Sequence, residues 1–165
     1  MEFTHFDESG KARMVDVSGK VPTSREAVAC GSVHMKPETI KLIKEGTIQK
    51  GDVLGTARIA GIMAAKKTSE LIPMCHPLNI ESITVDFALV DSDSRIDIKS
   101  TVKITGRTGV EMEALVAVSA AALTIYDMCK SADKEMIISD IMLLEKRGGK
   151  SGEFKRQKKT VGSKQ

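Results

Sequence analysis

Between Ile80 and Val90 apolar side chains fall on every second position, at Ile83, Val85, Phe87 and Leu89. The alternation returns over Arg95–Ile104, at Ile96, Ile98, Val102 and Ile104. A period of two gives a strand one apolar and one polar face, so both segments are expected as strands. Asp91-Ser92-Asp93-Ser94 between them is turn material. Elsewhere the period lengthens. Pro37 opens PETIKLIKEG, a short helix carrying Ile40, Leu42 and Ile43 and stopped at Gly46. Asp52 is a plausible N-cap for VLGTARIAGIMAAKKTSELI, whose positions 53, 57, 60 and 64 share one helical face and which Pro73 ends. Val110–Lys130 holds no Gly or Pro and is rich in Ala, Leu and Val, the clearest helix in the chain. Arg25–Met35 and Met136–Leu144 complete the pattern as strands.

The expected order is β-α-α-β-β-α-β. Without one helix it is the split βαβ order of a ferredoxin-like α+β domain: a single antiparallel sheet with helices on one face. The other sheet face would then need cover, which favours oligomerisation. Residues 1–22 are polar, broken by Gly10, Gly19 and Pro22, and read as a flexible arm with one apolar-acidic patch at Met14–Val17. The folded domain is expected over 23–146, and 147–165 as a flexible basic tail.

Length and composition narrow the function classes. With 165 residues and 41% hydrophobic side chains the chain suits one domain with its own core. Cys30, Cys75 and Cys129 are odd in number and widely spaced, which argues against a disulfide framework or a four-cysteine zinc site and for a reducing, cytoplasmic setting. No apolar run approaches the ~18 residues of a membrane span, and the first residues lack a signal-peptide pattern. The net charge of +3 conceals a division: from Lys146 onward eight Lys/Arg face one acid, while the body is net acidic. With no Trp and five Phe/Tyr, a base-stacking platform has little to be built from, so nucleic-acid binding is set aside.

Reactive groups gather at chain punctuation. Pro73-Met74-Cys75-His76-Pro77 holds an imidazole between two prolines, which limit backbone freedom; a rigid connection with an ordinary histidine is the plainer account. Glu111-Met112-Glu113 opens the long helix, where carboxylates suit the dipole and would also accept from a guanine-like edge. Asp127 and Lys130 share a face at the other end of that helix, where an acid is unfavourable and asks for a local explanation. Lys50 precedes a helix start, where lysine and backbone N–H groups together would make an anion site; a solvated loop lysine is the commoner case. Gly148-Gly149-Lys150-Ser151-Gly152 lacks the glycine of a P-loop at Leu144 and the helix after it, yet a Gly-rich basic segment can wrap a polyphosphate.

The strings KGDVLGTARIAGIMAAKKTSELIPMCHPL, TGRTGVEMEALVAVSAAALTIYDMCK and GGKSGEFK resemble the molybdenum-cofactor biosynthesis protein C family, the cyclic pyranopterin monophosphate synthases, from about His5 through Lys155. The resemblance implies a ferredoxin-like subunit in a homohexamer, a trimer of dimers with the site at a subunit interface. It implies a lyase that converts 3',8-cyclo-7,8-dihydroguanosine 5'-triphosphate, made by a radical S-adenosylmethionine enzyme, to cyclic pyranopterin monophosphate with release of diphosphate. Its catalytic residues fall on Lys50, Lys130 and Asp127. Its substrate-binding strings fall on Met74-Cys75-His76 and Met112-Glu113, with Glu111 adjacent. Lys20, Arg25, Lys146 and Lys150 match as triphosphate contacts. No cofactor or metal site is implied, and magnesium accompanying the triphosphate is left open.

That chemistry agrees with the residues: proton transfers need an acid and a base, and a lysine supplies either. Asp127 would keep Lys130 charged for one step, and Lys50, with less compensation, could act as base, the roles of the two lysines being interchangeable at this point. Helix arithmetic adds a constraint. Glu113 and Lys130 stand roughly 25 Å apart on one unbroken helix. A single site therefore requires Asp127 and Lys130 from one subunit and Glu111 and Glu113 from another, with Lys50 and His76 expected on the glutamate side. The competing readings are a binding module using its basic tail, and a purine or pterin hydrolase holding a metal on Glu111 and Glu113.

Overall fold

The computed structural model describes residues 9–11, 13–150 and 152–157. In chain order its elements are β1 (Thr23–His34), α1 (Pro37–Lys44), α2 (Val53–Ala65), α3 (Thr68–Leu71), β2 (Ser82–Val90), β3 (Arg95–Gly106), α4 (Glu111–Cys129), β4 (Ile137–Arg147) and β5 (Phe154–Lys155). The strands form one antiparallel sheet in the order β2-β3-β1-β4-β5, so the fold is α+β. The two alternating segments pair as a hairpin, Leu89 opposite Ile96 and Val85 opposite Ser100. A three-residue helical turn at Asp91–Asp93 and a left-handed Ser94 reverse the chain between them.

One face of this sheet is the core. Ala27, Ala29 and Val33 of β1, Val85 of β2, and Ile96, Ile98, Val102 and Ile104 of β3 are all buried there. Against them lie α2 and α4, each with small residues where backbones approach. A Cβ on Gly61 would stand 2.8 Å from the Ala117 carbonyl oxygen, and one on Gly31 2.7 Å from Val118 Cγ1. Ser100, buried at the contact, donates to the Ala114 carbonyl. The residues of β3 that alternate with its core set (Arg95, Asp97, Lys99, Thr101 and Lys103) give the opposite face its polar character.

Four expectations need amendment. The helix expected from 53 to Pro73 is interrupted after Ala65. There the Lys66 and Lys67 amides turn back to Ile62 and Ala64, and the buried Thr68 hydroxyl takes the Ala65 carbonyl, a local bond that competes with helix continuation. The strand expected to end at Leu144 continues to Arg147, with register shifts against β1 and Asp140 at positive φ. Within the segment expected as a flexible tail, Phe154 and Lys155 pair with Lys146 and Glu145 as a fifth strand. Finally, α4 is long and apolar enough to cross a membrane by length and composition. Its Ala114, Ala117, Val118, Ala121, Ala122 and Ile125 are instead buried in the core. His5 and Lys158, Lys159 and Lys164 lie outside the described residues.

Candidate active site

The turn before α2 delivers Lys50. Asp52 caps the helix, accepting from the Gly55 amide at 2.9 Å, so its carboxylate occupies the N-terminus expected to serve with Lys50 as an anion site. Lys50 turns to the far end of α4. Its ammonium donates to the Asp127 carbonyl at 2.8 Å and to Asp127 Oδ2 at 2.7 Å, while Lys130 donates to Oδ1 at 2.7 Å. This corrects the placement of Lys50 with the glutamates and the idea that it meets less compensation than Lys130. Both cations sit on one carboxylate.

The local explanation that Asp127 asks for is thereby given. A carboxylate at a helix C-terminus faces the negative end of the dipole, and two ammonium groups offset that. Hydrogen bonds from Lys130 and then Lys50 hold the Asp127 carboxyl down to about 2. The same bond and charge raise the Lys130 ammonium above its ordinary range. All three side chains are about half exposed, so the cluster is open to a ligand.

At the opposite end of α4 a cleft has two adjoining lobes. The first, about 320 Å³, is lined by Met74, Cys75, His76, Glu111, Met112 and Glu113, with Val15, Val17 and Lys20 from the N-terminal segment. The second, about 540 Å³, is lined by Lys20, Arg25, Arg107, Lys146 and Lys150 and shares Lys20, Thr108, Gly109 and Glu111 with the first. One lobe is thus acidic and apolar, the other densely cationic. That is the division a heterocycle carrying a polyphosphate would need.

Each group is held by its neighbours. Glu113 is sealed from water, and this burial, with the Glu111 charge adding to it, pushes its carboxyl up to about 7 against a bond from its own backbone. Burial and then the Glu113 charge also raise the Cys75 thiol, so it is not a ready thiolate at neutral pH. His76 donates from Nε2 to the Val15 carbonyl at 2.8 Å, which ties the N-terminal segment across the first lobe. Between the lobes Lys146 pairs with Glu111 at 3.2 Å. Arg25 is braced by the carbonyls of Gly106 and Arg107, and Gly149, at positive φ, leaves room for its guanidinium where a Cβ would collide.

Among the residues expected from sequence, Lys50, Asp127 and Lys130 come together, and Met74, Cys75, His76, Glu111, Met112, Glu113, Lys20, Arg25, Lys146 and Lys150 come together. The two groups lie at opposite ends of α4. That helix is unbroken from Glu111 to Cys129 with Lys130 as its C-cap, so Glu113 and Lys130 remain ~25 Å apart along it. Sequence reasoning missed Arg107 as a cation of the second lobe, although it stands in the TGRTGV turn. It also missed Val15 and Val17 as lining residues, whose signal was an apolar pair in a polar segment.

Comparison with known proteins gives one consistent answer. The model of the MoaC family matches residues 14–149. A cyclic pyranopterin monophosphate synthase of Thermoanaerobacter sp. strain X514 is 61% identical over 95% of this chain and 99% of its own length. The protein of the same name from Desulfitobacterium hafniense is 62% identical over 95% and 96%, and that from Brevibacillus brevis 60% over 96% and 98%.

Proposed function

The chain belongs to the MoaC family, and from that premise we propose that it is a cyclic pyranopterin monophosphate synthase. It takes the cyclised, dihydro form of guanosine triphosphate and returns cyclic pyranopterin monophosphate and diphosphate, a lyase step of molybdenum-cofactor biosynthesis. The observation that carries the reading is the two-lobed cleft, whose acidic end suits an aminopyrimidinone and whose cationic end suits a triphosphate.

The chemistry divides accordingly. In the first lobe Glu113, whose carboxyl titrates near neutral pH, accepts in its ionised form from the N–H edge of the heterocycle, and binding a donor there favours the carboxylate. In the second, Lys20, Arg25, Lys146 and Lys150 compensate the phosphate charge. Lys50, Asp127 and Lys130 carry the proton transfers. Ring opening breaks a C–N bond and places on nitrogen a proton supplied by an ammonium, and the carbon so freed is bonded again as the ring is rebuilt into the pyranopterin. Closure of the cyclic phosphate forms a bond from a ribose oxygen to the α-phosphorus. The α–β phosphoanhydride breaks, and the hydroxyl proton passes to an amine. Asp127 stays ionised throughout and alternately compensates whichever lysine is charged. The reading calls for no resident cofactor, and magnesium with the triphosphate is left open.

The separation of the two residue groups supports a composite site, one group from each of two subunits; a homohexamer, a trimer of dimers, is the assembly proposed to supply it. The upstream radical S-adenosylmethionine enzyme supplies the substrate. A cytoplasmic setting suits three free cysteines. The experiment is to incubate the protein with the cyclised triphosphate and follow pterin absorbance and diphosphate. Equimolar formation of both is expected, while an unchanged substrate after full incubation would sink the reading.

A further inference from the structure

Asp133 is a buried acid, 2% exposed, that the proposed chemistry does not use. It lies in the connection from α4 to β4, three residues past Lys130, where its own amide and that of Ala132 still bond to the Cys129 carbonyl. Its carboxylate has partners on two chain segments. Oδ1 accepts from the Glu135 amide at 2.9 Å, closing its own loop, and Oδ2 accepts from the Lys36 amide at 2.8 Å. Lys36 is the N-cap residue of α1, and it has no side-chain cap of its own. Asp133 therefore caps α1 from another element. The buried Thr39 hydroxyl also bonds to the carboxylate.

The two segments joined in this way carry the reactive cluster. Asp127 and Lys130 end α4, while α1 leads through residues 46–49 to Lys50. A second link between the same segments is the Lys50–Asp127 contact itself, whose side chains are 44% and 56% exposed. Exposed ion pairs hold long side chains weakly, whereas a buried carboxylate in charge-assisted bonds to backbone amides fixes direction as well as distance. Ile40, Ile48 and Met128 belong to the same buried apolar cluster, and such packing is non-directional, so it does not set the rotation of one segment against the other. We infer that Asp133 is a positioning residue, whose bridge from the α4 terminus to the Lys36 amide sets the reach of Lys50 to Asp127. The inference rests on the reading of Lys50, Asp127 and Lys130 as the proton-transfer groups.

The test uses three full-length variants. Asp133→Asn keeps the shape but turns amide hydrogens toward at least one backbone N–H. Lys36→Pro removes the amide donor and, besides it, an ion pair between the exposed Lys36 and Glu135 side chains, at a φ of −67° that Pro tolerates. Asp127→Asn reports on the underlying reading. Sites are counted by calorimetric titration with inorganic triphosphate, and turnover is expressed per binding-competent site. A merely structural role would lose sites and leave the rate per site alone. The expected result is kcat per site down about tenfold in Asp133→Asn and several-fold in Lys36→Pro, with KM and triphosphate affinity within about twofold. Wild-type kcat per site in both, beside a slow Asp127→Asn, overturns the positioning role. If Asp133→Asn does not fold, Lys36→Pro decides alone. Wild-type turnover in Asp127→Asn removes the chemistry from this end of α4, and the inference with it.

Discussion

At Glu113 two needs conflict, since the first turn of α4 favours a negative charge while burial disfavours it. Burial wins, and the carboxyl rises from its ordinary 4.5 to about 7. Between those values the folded chain keeps a proton that the unfolded chain releases, so the stability owed to this group falls as pH rises through that window and is flat beyond it. Removing the charge should remove the slope. Glu113→Gln is expected to gain on the wild type as pH rises from 5 to 8, approaching on the order of 3 kcal/mol, and melting curves at the two pH values measure it. A difference independent of pH would mean that Glu113 is better solvated than its 3% exposure implies. Asp127 has the opposite sign: bonds from Lys130 and Lys50 depress its carboxyl, so its contribution is present above the ordinary 3.8 and is lost as pH falls toward about 2.

The element that organises everything else is the pair α2 and α4, whose backbones nearly touch at Gly61 and Ala117. Alanine is intrinsically the better helix former by ~1 kcal/mol, yet here its methyl would meet a backbone oxygen that cannot move aside. Gly61→Ala is therefore expected to cost about 1–3 kcal/mol, read as a lower urea midpoint; a raised midpoint would show that the helices have room to part. Much at this scale was legible from sequence. The alternation at Ile83–Leu89 and Ile96–Ile104, the unbroken run into Cys129 and the Asp52 cap each express a local rule. The break after Ala65 was not, because it depends on one hydroxyl bonding back to a carbonyl in the helix it leaves. Nor was the partner of Lys50. A loop lysine reaches in any direction, and only the tertiary placement of its turn beside the end of α4 directs this one to Asp127. The grouping of Lys20, Arg25, Lys146 and Lys150 required the β1–β4 pairing, which sequence periodicity does not specify.

For the whole molecule the controlling fact is the length of α4, which holds the two groups of site residues apart in any one chain. If each site combines two subunits, Lys130→Ala and Glu113→Ala proteins, both inactive alone, should recover activity when unfolded together and refolded. Random assortment makes half the dimers mixed, each with one good site of two, so recovery should approach about a quarter of the wild-type rate. Mixed oligomers shown by mass but without activity would return both residues to one chain or remove one from the reaction. The small fifth strand matters at this scale too. Phe154 and Lys155 pair with the end of β4, and Arg156 donates through its amide to the Leu144 carbonyl and through Nε to that of Leu143, each at 2.8 Å. Lys150 consequently stands in a short loop fastened at both ends, unlike a lysine on a free tail. A closed loop has few conformations left to surrender. The entropy of placing this cation beside the cleft is thus lost when the chain folds, so under the proposed function a polyanion would meet a charge already in place.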